Sequence, residues 1–277
     1  MKIFNKKNYS IILSIILVSL IAYVSFEAYN YSIVYDTEML KQAEDNKVKN
    51  YTDPSIKDVV RFGFGKFNDY VLNRSETKEE KRRSINTAKE NKKMIQEHVK
   101  YYFILIVLLL LTYFFYEEDV FIIAVLTASL ISWVVGILAP IMTIEVFKDL
   151  PIVGHTIFKY DSKSIWATIE KLWHIDMYFI SVMVGLFSVI VPVIKTIALY
   201  VSVFYKKSLK VMDFIGKWSM ADVFIVALLL ANLSLNTDEY TDAKMQMALY
   251  FFSTYVILSI IASYVSRRHI TKINEAK

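Results

Sequence analysis

Apolar residues in this chain come in long blocks rather than in alternation with polar ones. Six blocks stand out: Tyr9 to Tyr31, Tyr101 to Tyr116, Val120 to Val146, Met177 to Tyr205, Trp218 to Leu235 and Met245 to Val265. A helix needs roughly 20 apolar residues to cross a hydrocarbon core of ~30 Å. The pattern therefore predicts an all-α integral membrane bundle of about six transmembrane helices. Only Glu117, Glu118 and Asp119 separate the second and third blocks, which predicts a tight helical hairpin. Pro140 is expected to kink or end the third helix near Thr143 and Glu145. Residues 147–173, with Pro151 and Gly154, read as a loop.

The polar positions divide the chain further. Residues 1–32 form an N-terminal anchor, because the apolar run is longer than a signal-peptide core and no A-x-A cleavage site follows it. Residues 33–100 carry both charge signs and few apolar residues, which predicts an extramembrane helix or helical hairpin rather than a catalytic domain. Within it, Asp53-Pro54 and the Gly63/Gly65 pair are expected breaks. Thr77 with Glu80 has the spacing of a capping box. From there to Tyr116 no proline or glycine intervenes, so one helix of ~60 Å is expected at ~1.5 Å per residue. Residues 101–119 are a second membrane helix and its turn, and 120–277 a four-helix membrane module with a basic tail.

Composition sharpens this picture. Of 277 residues, 55% are hydrophobic, and the mean hydropathy is +0.39, more apolar than a soluble domain. The net charge is +5, but the basic residues cluster at block ends, where they suit membrane topology better than nucleic acid. With the N-terminus inside, three basic segments face the cytoplasm: the N-terminus, the 206–217 loop and the C-terminal Arg267, Arg268 and Lys272. The acidic 238–242 turn then faces out, so both termini are inside. There is no cysteine, which excludes disulfides, thiolate catalysis and cysteine-ligated zinc. His98, His155, His174 and His269 lack metal-ligand spacing. No GxxxxGK[ST], HExxH or GxSxG motif occurs, so neither enzyme activity nor a cofactor is expected.

Chemistry concentrates at few positions. Lys195 lies about ten residues from the cytoplasmic end of its helix, hence ~15 Å deep. A lysine at that depth is costly and faces the bundle interior or a wet cavity, in a functional or a purely paired role. Pro192, one turn earlier, removes a backbone hydrogen bond and opens a kink. Asp222 fits a proton relay, or simply a helix cap through Ser219 and Asp222 as S-x-x-D. Ser188, Asn232 and Ser234 are substrate-pathway candidates, although hydroxyls in such helices also serve packing.

The run GKWSMADVFIVALLLANLSL, residues 216–235, resembles the paraquat-inducible protein A family, which includes lipid transport proteins of the LetA type. LFSVIVPVIKTIALY at 186–200 and LAPIMTIEVF at 138–147 extend the resemblance over residues 120–266. It implies a four-helix module in the bacterial inner membrane that passes lipid to an MCE-domain partner in the periplasm. Pro192, Lys195, Ser219 and Asp222 fall on the matching motifs. Where family members often carry two modules, cysteine-rich ribbons and a late basic residue in the W-S-M-x-D helix, this chain has one module, no cysteine and Ser234. The resemblance thus implies a lipid-transport subunit acting as a homodimer or with a second module. The competing reading is a non-transporting scaffold or envelope-stress protein that binds a periplasmic partner.

Overall fold

The computed structural model describes residues 6–52, 64–150, 154–205 and 241–275. Helix α1 spans Lys6–Thr52 and α2 spans Phe64–Leu111. Both are ~70 Å long at ~1.5 Å per residue, about 40 Å more than a hydrocarbon core. They run antiparallel: Gln42 Nε2 donates to Ser84 Oγ at 3.1 Å, and the Tyr31 and His98 rings lie 5.2 Å apart. The buried positions of α1 show why. Ile21, Ser25, Ala28, Ser32, Tyr35, Met39 and Ala43 recur at three- and four-residue steps, with Ser14 one heptad before them, opposite Ser84, Ala88, Tyr102, Ile106 and Leu109 of α2. This is a coiled-coil seam with small residues that let two backbones approach closely. One seam thus serves both the membrane segment and the polar segment. Of the helix or helical hairpin expected over residues 33–100, the described part consists of two antiparallel helices, and α2 starts at Phe64, so Thr77 lies inside the helix rather than at its start.

A short 3-10 turn, Thr112–Phe114, leads to α3, Glu118–Leu138. Helix α3 is the centre of the bundle, burying Phe121, Ile122, Val125, Leu126, Ala128 and Ile137. It ends eight residues before Val146, where the apolar block ends. Pro140 has no N–H and disfavours the α conformation in the residue before it. Ala139 accordingly sits extended, at ψ 159°. The chain then continues as strand β1, Pro140–Leu150, which suits its Thr143, Ile144 and Val146.

The expected 147–173 loop is replaced by regular structure. Strand β2, Gly154–Ser164, returns antiparallel to β1, and β3, Thr241–Met245, pairs on the other side, giving the order β2-β1-β3. Glu145 is opposite Tyr160 on one flank and Asp242 on the other. Helix α4, Ile165–His174, follows, and Ser164 Oγ caps it by accepting from the Ala167 amide at 3.1 Å. It leaves Trp166 and Trp173 half exposed, as suits an amphipathic helix at a membrane interface. Asp176, at φ 62°, makes the turn into the next span. That span is helix α5, Tyr178–Gly185, a π-turn over Leu186–Ile190, and helix α6, Val191–Tyr205. Helix α7, Met247–Glu275, closes the bundle against α3. At this crossing Gly136 is nearly in backbone contact with Phe252; a Cβ there would lie 2.8 Å from the Phe252 nitrogen.

Five described helices are long and apolar enough to cross a membrane: Asn8–Glu44, Arg82–Phe114, Glu118–Leu138, Tyr178–Tyr205 and Met247–Ile273. The remaining expected span, Trp218 to Leu235, lies outside the described residues. Exposed apolar side chains such as Ile12, Ile16, Ile104, Val107, Ile194, Ile197 and Ile257 cover the bundle. A water-soluble protein would bury such a surface, whereas lipid tails solvate it.

Candidate functional site

The site begins with a break in a helix. Pro192 cannot donate to the carbonyls one turn below it, and the π-turn over Leu186–Ile190 widens the helix just before it. In hydrocarbon no water can satisfy a freed carbonyl. Here Trp133 of α3 does so: its indole Nε1–H donates to the Ser188 carbonyl at 2.9 Å. Above the break, Thr196 Oγ1 donates back to the Pro192 carbonyl at 2.9 Å. A side chain on a neighbouring helix thus holds the irregular backbone.

From this break upward, the span presents one buried stripe. Ser188, Pro192, Lys195, Leu199 and Ser202 follow at steps of four, three, four and three residues. Lys195 is only 5% exposed, and Ser188 3%. Further buried or half-buried hydroxyls lie on α2, α3, α6 and α7. Thr127 Oγ1 and Tyr200 Oη are hydrogen-bonded at 2.8 Å, and Tyr102 Oη meets Ser132 Oγ at 2.6 Å. Ser129, Thr254 and Ser259 are also buried. Chemically, this is a membrane interior in which hydroxyl dipoles and one ammonium group replace hydrocarbon. Such a seam suits a polar or anionic group held between helices.

Of the sequence candidates, Ser188, Pro192 and Lys195 come together on this stripe. Ser219, Asp222, Asn232 and Ser234 lie outside the described residues. Sequence reasoning missed Trp133, whose signal was an indole N–H in the middle of an apolar span, and the tyrosine–hydroxyl pairs made by Tyr102 and Tyr200. A further polar cluster lies around the strands. Buried Glu145 accepts from Lys244 Nζ at 2.7 Å, with Asp242 at 3.3 Å. Desolvation lowers the Lys244 pKa, but hydrogen bonding and attraction to Glu145 and Asp242 outweigh it and hold the ammonium above its ordinary value. Asp36 of α1 accepts from Tyr160 Oη and from Ser162 Oγ, the latter at 2.6 Å, which fastens the sheet to the hairpin. Burial, then the Asp36 charge, pushes the Tyr160 phenol well up. Among the described residues, no group of His, Asp and Glu is arranged to hold a metal ion.

The family model for paraquat-inducible protein A matches residues 121–273. This chain belongs to the paraquat-inducible protein A family. The family segment opens inside α3 and closes inside α7. It therefore contains the three strands, the Trp133–Ser188 bond and the Lys195 stripe, while α1 and α2 precede it. No curated protein and no solved structure matched the chain. The family and the five apolar helices make it a multi-pass membrane protein.

Proposed function

We propose that this protein is an inner-membrane lipid-transport subunit. It passes lipid between the membrane and a periplasmic MCE-type partner and acts as a homodimer or beside a second module. The observation that carries the reading is Lys195, buried on a stripe that begins at a proline-broken, π-wound turn. A cation in such a place can neutralise a lipid phosphate as it leaves the headgroup region. The hydroxyls of α3, α6 and α7 offer that phosphate a polar route. Neither catalysis nor a cofactor is part of the reading, and nucleic acid is not a partner. With the basic termini in the cytoplasm, the strand end of the bundle and the outer part of the α1–α2 hairpin face the periplasm, where a partner would dock.

Site-specific photocrosslinking in cells tests this. Probes on α3, α6 and α7 that flank Lys195 should crosslink phospholipid more strongly than probes on the lipid-facing Ile197 and Ile257, and Lys195→Gln should remove the excess. Uniform labelling that ignores Lys195 would refute a conduit. The second reading, a non-transporting scaffold, draws on the continuous hairpin seam and its clamp to the sheet through Asp36. It predicts partner crosslinks at the strands with no lipid enrichment inside the bundle.

A further inference from the structure

A cavity of about 710 Å³ opens where the α1–α2 hairpin meets the family module, within the size range of small-molecule sites. Lys92, Val99, Lys100 and Phe103 of α2 line one wall; Lys244 of β3 and Tyr250 of α7 line the other. The two walls differ in origin, because α2 lies before the family segment and β3 and α7 lie within it. Charge and apolarity are sorted along the cavity. Lys92 and Lys100 stand two helical turns apart on one face, ~12 Å along the axis. Each side chain reaches about 6 Å, so both can converge on a single anion near the level of Gln96. Below Lys100 the wall turns apolar at Phe103, beside the lipid-facing Ile104 and Val107.

The charges at this site do not cancel. Lys244 is occupied by Glu145 and Asp242, and Lys93 next door is paired with Glu97 at 3.8 Å. Among the described residues, Lys92 and Lys100 have no carboxylate partner. Two uncompensated ammonium groups therefore sit over an apolar slot at the level where α2 changes from polar to apolar.

We propose that this cavity binds the phosphate of an anionic phospholipid between Lys92 and Lys100, with the acyl chains leaving along Phe103 and Tyr250 into the bilayer. The site adds a headgroup station to the proposed lipid path. It rests on that reading only in placing this face at a membrane surface, and a lipid held there requires no transport.

The test uses the full chain in phosphatidylcholine nanodiscs containing phosphatidylglycerol, with retained lipid counted by native mass spectrometry. At roughly fivefold per basic residue near a membrane surface, the double variant Lys92→Gln, Lys100→Gln should retain at least tenfold less phosphatidylglycerol. Lys89→Gln, on the same helix outside the cavity, should match the parent. Val99→Trp, which fills the slot and keeps the charges, should also lose retention. Dihexanoyl-phosphatidylglycerol should displace the bound lipid, and inorganic phosphate at the same concentration should not. Unchanged retention in the double variant or in folded Val99→Trp overturns the site. Equal displacement by inorganic phosphate overturns the lipid as its ligand. Retention here without lipid crosslinks near Lys195 would sink the transport reading and leave this site standing.

Discussion

The bond from Trp133 to the Ser188 carbonyl gives the sharpest quantitative test. Trp133→Phe keeps an aromatic ring but removes the indole N–H that donates to the Ser188 carbonyl. The Ser188 carbonyl then sits in a bilayer core, where an unsatisfied buried acceptor costs about 1–3 kcal/mol. Measured interhelical hydrogen bonds in membranes average ~0.6 kcal/mol and reach ~1.7. The lost indole volume adds a packing cost of its own, so the single variant cannot isolate the bond. Pro192→Ala can, because it restores a backbone N–H one turn above Ser188. With that donor present, Trp133→Phe should cost less by about 0.6–1.7 kcal/mol, while its packing cost stays the same in both backgrounds. The assay is equilibrium unfolding in mixed micelles with increasing denaturing detergent, followed by far-UV circular dichroism for the parent, both single variants and the double variant. Additivity within ~0.3 kcal/mol would mean that the two residues do not share a carbonyl and would refute the account of the break.

Three further outcomes follow from the packing and the charges. Gly136→Ala places a Cβ 2.8 Å from the Phe252 backbone nitrogen; it should destabilise the bundle by about 1–3 kcal/mol, read in the same unfolding assay, and a neutral result would refute the close crossing of α3 and α7. Tyr160→Phe leaves Asp36 with Ser162 alone, so protease cleavage within the extramembrane part of α1–α2 should accelerate while the membrane helices stay protected; unchanged cleavage would count against the clamp. Alkaline pH should weaken the fold. Lys244 has a raised folded pKa, so its contribution is complete below the ordinary lysine value of ~10.4 and fades as pH rises through the folded one. Tyr160 keeps its proton in the fold, whereas the unfolded chain loses it near pH 10, which again lowers stability above that point. A circular-dichroism titration from pH 8 upward should show the decline, and Tyr160→Phe should flatten it; an identical slope in the variant would refute the assignment.

The membrane character and the family were legible because both rest on composition and on local runs. Spans of twenty apolar residues need no tertiary information, and neither did the burial of Lys195 or the break at Pro192. The strands were hidden for a physical reason. In β1 the buried side holds Ile141, Thr143 and Glu145, while Met142, Ile144 and Val146 stay partly exposed. A strand with two polar residues among its interior positions and apolar ones on its outer side masks the pattern that identifies a half-buried strand. The same masking hid the hairpin seam, which is lined by serines and alanines where a soluble coiled coil would show leucines. Small residues carry no hydropathy signal, yet they set how closely two helices approach. The capping motif at Thr77 misled because a T-x-x-E run inside a long helix has the same letters as one at its start.

The hairpin and the family module were read separately from the sequence, but their contacts make them one device. Tyr35, Met39 and Ala43 of α1 and Ala88 of α2 form a small core with Tyr160 of β2, and Asp36 locks that core through two hydroxyl donors. The sheet is in turn continuous with α3 through Ala139 and Pro140, and α3 carries Trp133. A contiguous set of contacts thus runs from the extramembrane hairpin through β2 and β1 to α3, the helix whose Trp133 holds the Ser188 carbonyl in the span bearing Lys195. Coupling between distant sites needs an element with two arrangements, and among the described residues the π-wound turn next to Pro192 is the candidate for one. If the proposed periplasmic partner docks at the strand end, its binding and the environment of Lys195 should be linked. Asp36→Asn should weaken the link while leaving the Lys195 stripe in place, seen as a loss of any partner-induced change in lipid crosslinking near Lys195 with the basal crosslinking retained. If crosslinking near Lys195 responds to the partner equally with and without the Asp36 clamp, the signal does not travel through the sheet.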